Sequence, residues 1–278
     1  MAQILLVEDE RVTRHRIQKM LEDAGYDVTP VTNGTEALSC LDKEQFDLVL
    51  LDIWMPEMSG LDVLNEIRNG AARPKVVVMT ADDTPQTLVD AVRHEAYQYV
   101  AKPVEPEDLL AVVEKAVQKT EQPPPIRVLS AKPHWIELAV PCEHDAVERI
   151  QSFLSRLDAD LETSVREAIG RVFREMLLNA IEWGGKLDPT REVRVTYLRA
   201  KKMILYRIAD PGEGFRFDDL DHAAISNPED NPMSHMEARM SKGIRPGGFG
   251  ILMSQSLADE LLYNEARNEV VFVKYLDE

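Results

Sequence analysis

Two groups of side chains in this sequence have the types and spacing to do chemistry. The first is Glu8, Asp9, Asp52, Thr80 and Lys102; the second is Glu175, Asn179, Asp210, Gly212, Gly214, Gly247, Gly248 and Gly250. Three carboxylates brought together repel one another, and a divalent cation with oxygen ligands, most naturally Mg²⁺, relieves that repulsion and screens an incoming phosphoryl group. With a hydroxyl and an ammonium beside them, the first set suits a phosphorylated aspartate. Within residues 171–182, Glu175 and Asn179 stand four apart on a face separate from the apolar stripe of Val172, Phe173, Met176, Leu177 and Ala180. An Asn carbonyl oxygen can ligate Mg²⁺, and a Glu one turn earlier can orient or deprotonate an attacking hydroxyl. Alone, this stretch reads as a solvated helical face.

Asp210 ends the apolar run of residues 205–209, where a carboxylate can accept a hydrogen bond from an exocyclic amine such as that of adenine. Gly212 and Gly214 allow close backbone approach to a ligand, although a lone D-x-G-x-G is otherwise only a turn. Gly247, Gly248 and Gly250 precede an amphipathic helix. Such glycines expose backbone N–H groups and the positive end of the helix dipole to phosphate, or simply make an entry turn. Together the second set suits an ATP site.

These residues need elements to hold them. Short apolar runs alternate with helical patterns from residue 4 to 119, which predicts a doubly wound five-stranded parallel sheet of the flavodoxin-like kind. Its strands are expected at 4–7, 26–29, 47–51, 75–79 and 98–101, with a last helix at 105–119. In such a sheet the chemistry gathers at the carboxyl ends of the strands, where Glu8, Asp9, Asp52, Thr80 and Lys102 all fall. Three consecutive prolines, Pro123, Pro124 and Pro125, then stop the helix and favour an extended segment. Domains are therefore expected at 1–120 and 134–278, with a proline-rich linker at 121–133. Beyond it the pattern predicts a strand at 135–140, helices at 145–157 and 161–183, strands at 192–199 and 203–210, a polar loop at 211–246, a helix at 251–262 and a strand near 269–275. This is an α/β sandwich with a mixed sheet.

With 32 basic and 49 acidic residues the net charge is -17, which argues against DNA as a partner. Cys40 and Cys142 lack disulfide or zinc-ligand spacing, in keeping with a reducing cytoplasm. No apolar run reaches membrane-spanning length, and the amino terminus reads as a strand rather than a signal peptide.

Residues 1–120 resemble the response-regulator receiver family through Val7-Glu-Asp9, Leu51-Asp-Ile-Trp-Met-Pro56, Gly60, Met79-Thr-Ala81 and Lys102-Pro103. The resemblance implies that Asp52 accepts a phosphoryl group from a phosphohistidine donor, supplied by a cognate sensor histidine kinase or phosphotransfer protein. It also implies that Glu8 and Asp9 help hold Mg²⁺, that Lys102 contacts the phosphoryl oxygens, that Thr80 and Tyr99 form a switch pair, and that the peptide before Pro103 is cis. Trp54 is bulky where small or polar residues are usual, a placement suited to shielding an acyl phosphate from water.

Residues 134–275 resemble the ATPase domain of the GHKL superfamily, shared by gyrase, histidine kinases and mismatch-repair ATPases, and within it the bacterial anti-sigma factor serine kinases. That likeness implies that Asp210 recognises adenine, Asn179 binds Mg²⁺, Glu175 acts as base, and residues 216–246 form a lid. Ile181-Glu-Trp-Gly184 departs from the family's histidine-containing stretch, and the lid is long. In the lid, Lys242 and Arg245 are candidates for the γ-phosphate or are solvated, and Met233, Met236 and Met240 either form a partner-binding stripe or close the lid. His134 and His144 lie outside any long two-helix dimerisation segment, which disfavours an ordinary histidine kinase; His222 and His235 read as surface or loop residues.

The combined expectation is a serine/threonine protein kinase of the partner-switching type under receiver control. It would act on an antagonist protein bearing a Ser or Thr, and use Mg²⁺ and ATP. The alternative is an ATP-binding module that sequesters a sigma factor or another protein. The Tyr99 face and the last receiver helix are the expected surface for contact or homodimerisation.

Overall fold

In a computed structural model of the chain, residues 1–70, 73–81, 84–118, 123–132, 134–216, 223–224, 231, 233–241 and 248–276 are described. They divide into two compact units, Met1–Arg127 and Val128–Glu278.

The first unit runs β1 (Gln3–Val7), α1 (Arg11–Asp23), β2 (Asp27–Val31), α2 (Gly34–Leu41), β3 (Leu48–Asp52), α3 (Gly60–Asn69), β4 (Lys75–Thr80), α4 (Pro85–Arg93), β5 (Gln98–Ala101) and α5 (Pro106–Gln118). Its five strands are parallel in the order β2-β1-β3-β4-β5. Parallel strands covered on both faces must be apolar on both, and Ile4, Leu5, Leu6, Val7, Leu48, Val49, Leu50 and Leu51 are all fully buried. Strand β2 starts one residue and ends two residues later than expected and includes Pro30, opposite Leu6. An edge strand tolerates the missing N–H. Helix starts are set locally: Asn33 and Thr84 cap α2 and α4, and Ser59 with Asp62 makes a capping box on α3.

The second unit runs β6 (Arg127–Lys132), β7 (Trp135–Pro141), α6 (His144–Leu157), α7 (Thr163–Asn179), a π-helical turn (Ala180–Gly184), β8 (Glu192–Ala200), β9 (Met203–Ala209), α8 (Ser234–Ser241), α9 (Gly250–Leu257), β10 (Glu260–Tyr263) and β11 (Glu269–Tyr275). Its six strands lie in the order β10-β11-β9-β8-β7-β6, and the four pairs with a described register are antiparallel. Helix α7 packs on α6, α9 and β9. Its Phe173 ring lies 5.2 Å from Tyr206, which stacks on Phe272 at 5.0 Å. Beneath them the hydroxyls of Tyr197 and Tyr206 donate to the two oxygens of buried Asp158, at 2.7 and 3.1 Å, so the carboxylate ties β8 and β9 to the end of α6.

Four expectations change here. The linker read as ending at 133 already contains β6, because the prolines stop at 125 and Arg127–Lys132 is free to pair with β7. The helix expected through 183 leaves α-geometry after Asn179. The one expected at 251–262 stops at Leu257: Ala258 turns extended, and Leu261 and Leu262 pair with Phe272 and Val271 instead. Residues 234–241 of the expected loop are helical.

Candidate functional site

The receiver pocket assembles at the carboxyl ends of β1, β3, β4 and β5. Glu8 follows β1, Asp52 and Thr80 close β3 and β4, and Lys102 follows β5. Parallel register brings them level, since Asp52 pairs with Met79 and Thr80 with Ala101. Gly60 lets α3 start against β3: a Cβ there would lie 2.1 Å from the Asp52 carbonyl oxygen. Lys102 Nζ sits 2.6 Å from both Glu8 Oε2 and Asp52 Oδ2. Glu8 and Thr80 are fully buried, Asp52 is nearly so, and Asp9 is exposed at the rim.

Burial pushes the Glu8 carboxyl above its ordinary range, against the pull of Lys102. Burial alone lowers Lys102, but the hydrogen bonds and charges of Asp52 and Glu8 outweigh it and hold the ammonium above its usual value. Oxygens of Glu8, Asp9 and Asp52 all lie within 4.8 Å of one another. Three carboxylates against one ammonium leave an excess of two negative charges, and the donors are all hard oxygens. The set fits a divalent cation of the Mg²⁺ kind. Tyr99 is buried in β5 opposite Val78, and the Lys102–Pro103 peptide is cis. Trp54 is 60% exposed, and its backbone N–H donates to Asp52 Oδ1 at 3.2 Å.

In the second unit, Glu175 and Asn179 occupy the last turns of α7. A Cβ on Gly250 would lie 2.4 Å from Glu175 Oε2, so the first turn of α9 is seated directly on the Glu175 carboxylate. Asp210 accepts from the Gly212 N–H at 2.7 Å and abuts Gly184, where a Cβ would come within 2.1 Å of its Oδ1. The π-helical turn after Asn179 thus reaches Asp210. Burial raises the Asp210 carboxyl, against the Gly212 N–H and Arg191. Gly214 has φ +86°, and a Cβ there would fall 1.7 Å from the Ala266 carbonyl oxygen; Gly248 has φ +102°, and its carbonyl accepts from the Ala224 N–H at 2.8 Å. Glu175 and Gly250 are therefore brought together by α7 and α9, and Asp210 and Gly212 meet the π-turn that follows Asn179 at the β9 end. Gly247, Lys242, Arg245 and His222 lie outside the described residues.

Sequence reasoning missed several supports. Asn268 accepts at its carbonyl from the Asp210 N–H (2.8 Å) and donates from Nδ2 to the Gly212 carbonyl (2.9 Å), while Arg191 Nη2 donates to Pro211 O at 2.6 Å. Gly185 packs on Cys142, where a Cβ would lie 2.2 Å from Sγ. The paired glycines at 184 and 185 were the only local signal of that crowding. His235, read as a loop residue, is buried in α8, its ring edge-on to Phe249 at 4.6 Å. Met233, Met236 and Met240 are exposed.

Comparison with known proteins follows this division. Residues 4–114 match the family model of the response regulator receiver domain, and residues 140–274 match that of the histidine kinase-like ATPase domain. The DNA-binding response regulator MtrA of Mycobacterium tuberculosis is 30% identical over 202 residues, or 71% of this chain and 86% of MtrA. The chain belongs to the response-regulator family. This response regulator is also 31% identical over 199 residues to the alginate biosynthesis transcriptional regulatory protein AlgB of Pseudomonas aeruginosa, which covers 72% of the chain and 42% of AlgB. The chain therefore spans less than half the length of that relative. Among solved structures, chemotaxis protein CheY4 of Vibrio cholerae is 29% identical and covers 42% of this chain and 98% of its own, with a TM-score of 0.41. A receiver domain implies a sensor kinase or phosphotransfer protein as phosphoryl donor. Among the described residues, no helix is long and apolar enough to cross a membrane.

Proposed function

We propose that this response regulator accepts a phosphoryl group on Asp52 and, in its second unit, uses ATP to phosphorylate a serine or threonine of a protein partner of the anti-sigma antagonist type. The observation that carries the output is Glu175 held against Gly250 at the start of α9, with Asn179 one turn on. Phosphoryl transfer asks for positioning and charge neutralisation more than covalent chemistry, and those are what this arrangement supplies.

In the receiver, Asp52 Oδ2 is the nucleophile and forms the new bond to phosphorus as the donor's phosphohistidine bond breaks. Lys102, already at Asp52, pairs with the transferred oxygens. Thr80 and Tyr99 are the switch pair, the hydroxyl drawn toward the new charge and the ring shifting after it. Glu8, Asp9 and Asp52 would hold Mg²⁺, which when bound would supply positive charge to the transferring group. In the second unit, Asp210 accepts from the adenine amine, and Gly212, Gly214, Gly248 and Gly250 let the backbone approach the nucleotide. Asn179 offers its carbonyl oxygen to the nucleotide's Mg²⁺. Glu175 takes the proton of the substrate hydroxyl while that oxygen bonds the γ-phosphorus and the bond to the ADP oxygen breaks.

A second reading is favoured by the exposed Met233, Met236, Met240, Phe249 and Leu252 around α8 and α9. On it the unit captures a protein, such as a sigma factor, and ATP is a structural ligand. DNA binding belongs to MtrA by name; here the residues after the receiver match an ATPase model, and the net charge of -17 opposes a DNA output.

The test is to incubate the purified chain with labelled ATP, Mg²⁺ and proteins it retains from cell extract, with and without Asp52 phosphorylation. Label on a partner Ser or Thr, lost with Glu175→Ala, supports the kinase. Retained ATP binding and partner capture with no label in either protein would leave only the capture reading. Loss of ATP binding with Asp210→Asn in a folded protein checks the nucleotide site itself.

A further inference from the structure

Between α6 and α7 lies a half-open slot of about 300 Å³, and none of its lining residues belongs to the Glu175, Asn179 and Asp210 constellation. Its size is at the lower end of small-molecule pockets, roughly 300–1,000 Å³. The walls are Leu154 of α6 with Ile169 and Phe173 of α7, all buried, and the floor is Tyr206 and Asp158. Because the Asp158 oxygens already accept from Tyr197 and Tyr206, the polarity of the floor is spent within the fold. Two further polar residues of α6 line the slot: Gln151 donates from Nε2 to the Gly170 carbonyl at 3.3 Å and accepts from Arg174, and the Ser155 hydroxyl donates to the Ser152 carbonyl at 2.9 Å, which leaves the rest of the interior apolar.

Gly170 is the second observation. It sits mid-helix in α7, where glycine is less stable than alanine. Helix glycines usually repay that cost by letting another element come close. Here the nearest atom to an added Cβ is Gln151 Nε2 at 3.6 Å, an ordinary contact, so no close approach calls for glycine. Gly170 does line the slot, and a longer side chain would project between the helices.

The lip is net cationic, with Arg166 and Arg171 against the single carboxylate of Glu167. Arg166 donates from Nη1 to Ala159 O at 3.1 Å, which anchors the guanidinium beside the opening with further donors to spare. Arg171 is 65% exposed and only loosely paired with Glu167 at 3.8 Å. Arginine forks match a carboxylate, and an anion would be kept out of the interior by the carboxylate of Asp158 below.

We propose that this slot binds a small, flat apolar carboxylate, its ring between Leu154, Ile169 and Phe173 and its carboxylate at Arg166 and Arg171. The proposal rests on α6, α7 and β9 alone and stands apart from the nucleotide reading. Calorimetric titration of the full chain with 2-naphthoate, neutral 2-naphthol and cationic 2-naphthylmethylamine tests it. The carboxylate binds one to one and at least tenfold more tightly than either of the others. Gly170→Leu removes that binding, and Arg166→Gln with Arg171→Gln weakens it at least tenfold. Thermal melting checks folding; should Gly170→Leu fail to fold, the arginine pair at the rim carries the test. No binding of 2-naphthoate at millimolar concentration, equal or tighter binding of the amine or the naphthol, or binding that survives Gly170→Leu in a folded protein overturns the proposal.

Discussion

Lys102 Nζ lies 2.6 Å from Asp52 Oδ2, so the ammonium reaches the phosphoacceptor across the mouth of the sheet before any phosphate arrives. The same nitrogen is equally near Glu8. Replacing it with methionine leaves two buried carboxylates facing each other and is expected to cost about 1–3 kcal/mol. Added Mg²⁺ returns part of that loss, because the carboxylates it would join are already within 4.8 Å. Urea unfolding of Lys102→Met with and without Mg²⁺ measures both; a midpoint indifferent to the ion would mean that the three carboxylates are not a cation site.

Gly250 and Gly214 are both closed to a side chain, for different reasons. At Gly250 the obstacle is the end of the Glu175 side chain, which can swing aside; at Gly214 it is the Ala266 backbone, with φ at +86°. Gly214→Ala is therefore expected to lose about 2–4 kcal/mol of stability. Gly250→Ala should melt within a few degrees of the parent, at most about 1 kcal/mol down, yet lose phosphoryl transfer at least tenfold by displacing the Glu175 base. Melting curves alongside ATP turnover separate the two.

Acid sensitivity should trace in part to Arg207 and Glu269, joined by two hydrogen bonds of 2.7 and 2.6 Å across β9 and β11. The Arg207 hydrogen bonds hold the Glu269 carboxyl below its ordinary 4.5. A depressed carboxylate stabilises the fold above its unfolded value and loses that contribution as pH falls through the folded one. Arg207→Met should thus cost about 0.5–1 kcal/mol at neutral pH, discounted for the partial exposure of both groups. The difference from the parent fades once pH drops below 4.5 and disappears when Glu269 is protonated in the folded chain. Chemical denaturation across pH 3–7 reads this, and a constant difference would exclude the ion pair as its source.

Trp54 is tethered to Asp52 by its backbone while its ring remains largely exposed. If the ring limits water at the acyl phosphate, Trp54→Ala shortens the phosphoryl lifetime several-fold after loading with a small-molecule phosphodonor. An unchanged decay rate removes Trp54 from that role.

The receiver was legible because each of its chemical residues ends or follows an apolar run, and a parallel sheet brings such ends to one rim. Glu8, Asp52, Thr80 and Lys102 therefore meet as their order implied. The second unit was legible in its strongest periodicities, α7 and the strands β8, β9 and β11, and less so where several roles compete for one stretch. Leu257 to Leu262 carries apolar residues compatible with one helix, and only pairing with β11 splits it into α9 and β10. The Asp158 network left no trace because Tyr197 and Tyr206 sit at ordinary inward strand positions. Their hydroxyls acquire a partner only once α6 ends beneath them.

The π-helical turn between Asn179 and Gly185 makes chain length itself a determinant of the candidate site. A π-turn holds one residue more than the α-turn it replaces. Removing one residue from 180–184 would leave a helix that can still close its hydrogen bonds, but would rotate everything beyond it by about 100°. Gly184 would then turn away from Asp210, and Gly185 from Cys142. Over these five positions, a scan of single-residue deletions should be far harsher than a scan of substitutions at Glu182 or Trp183, because what the segment encodes is a phase.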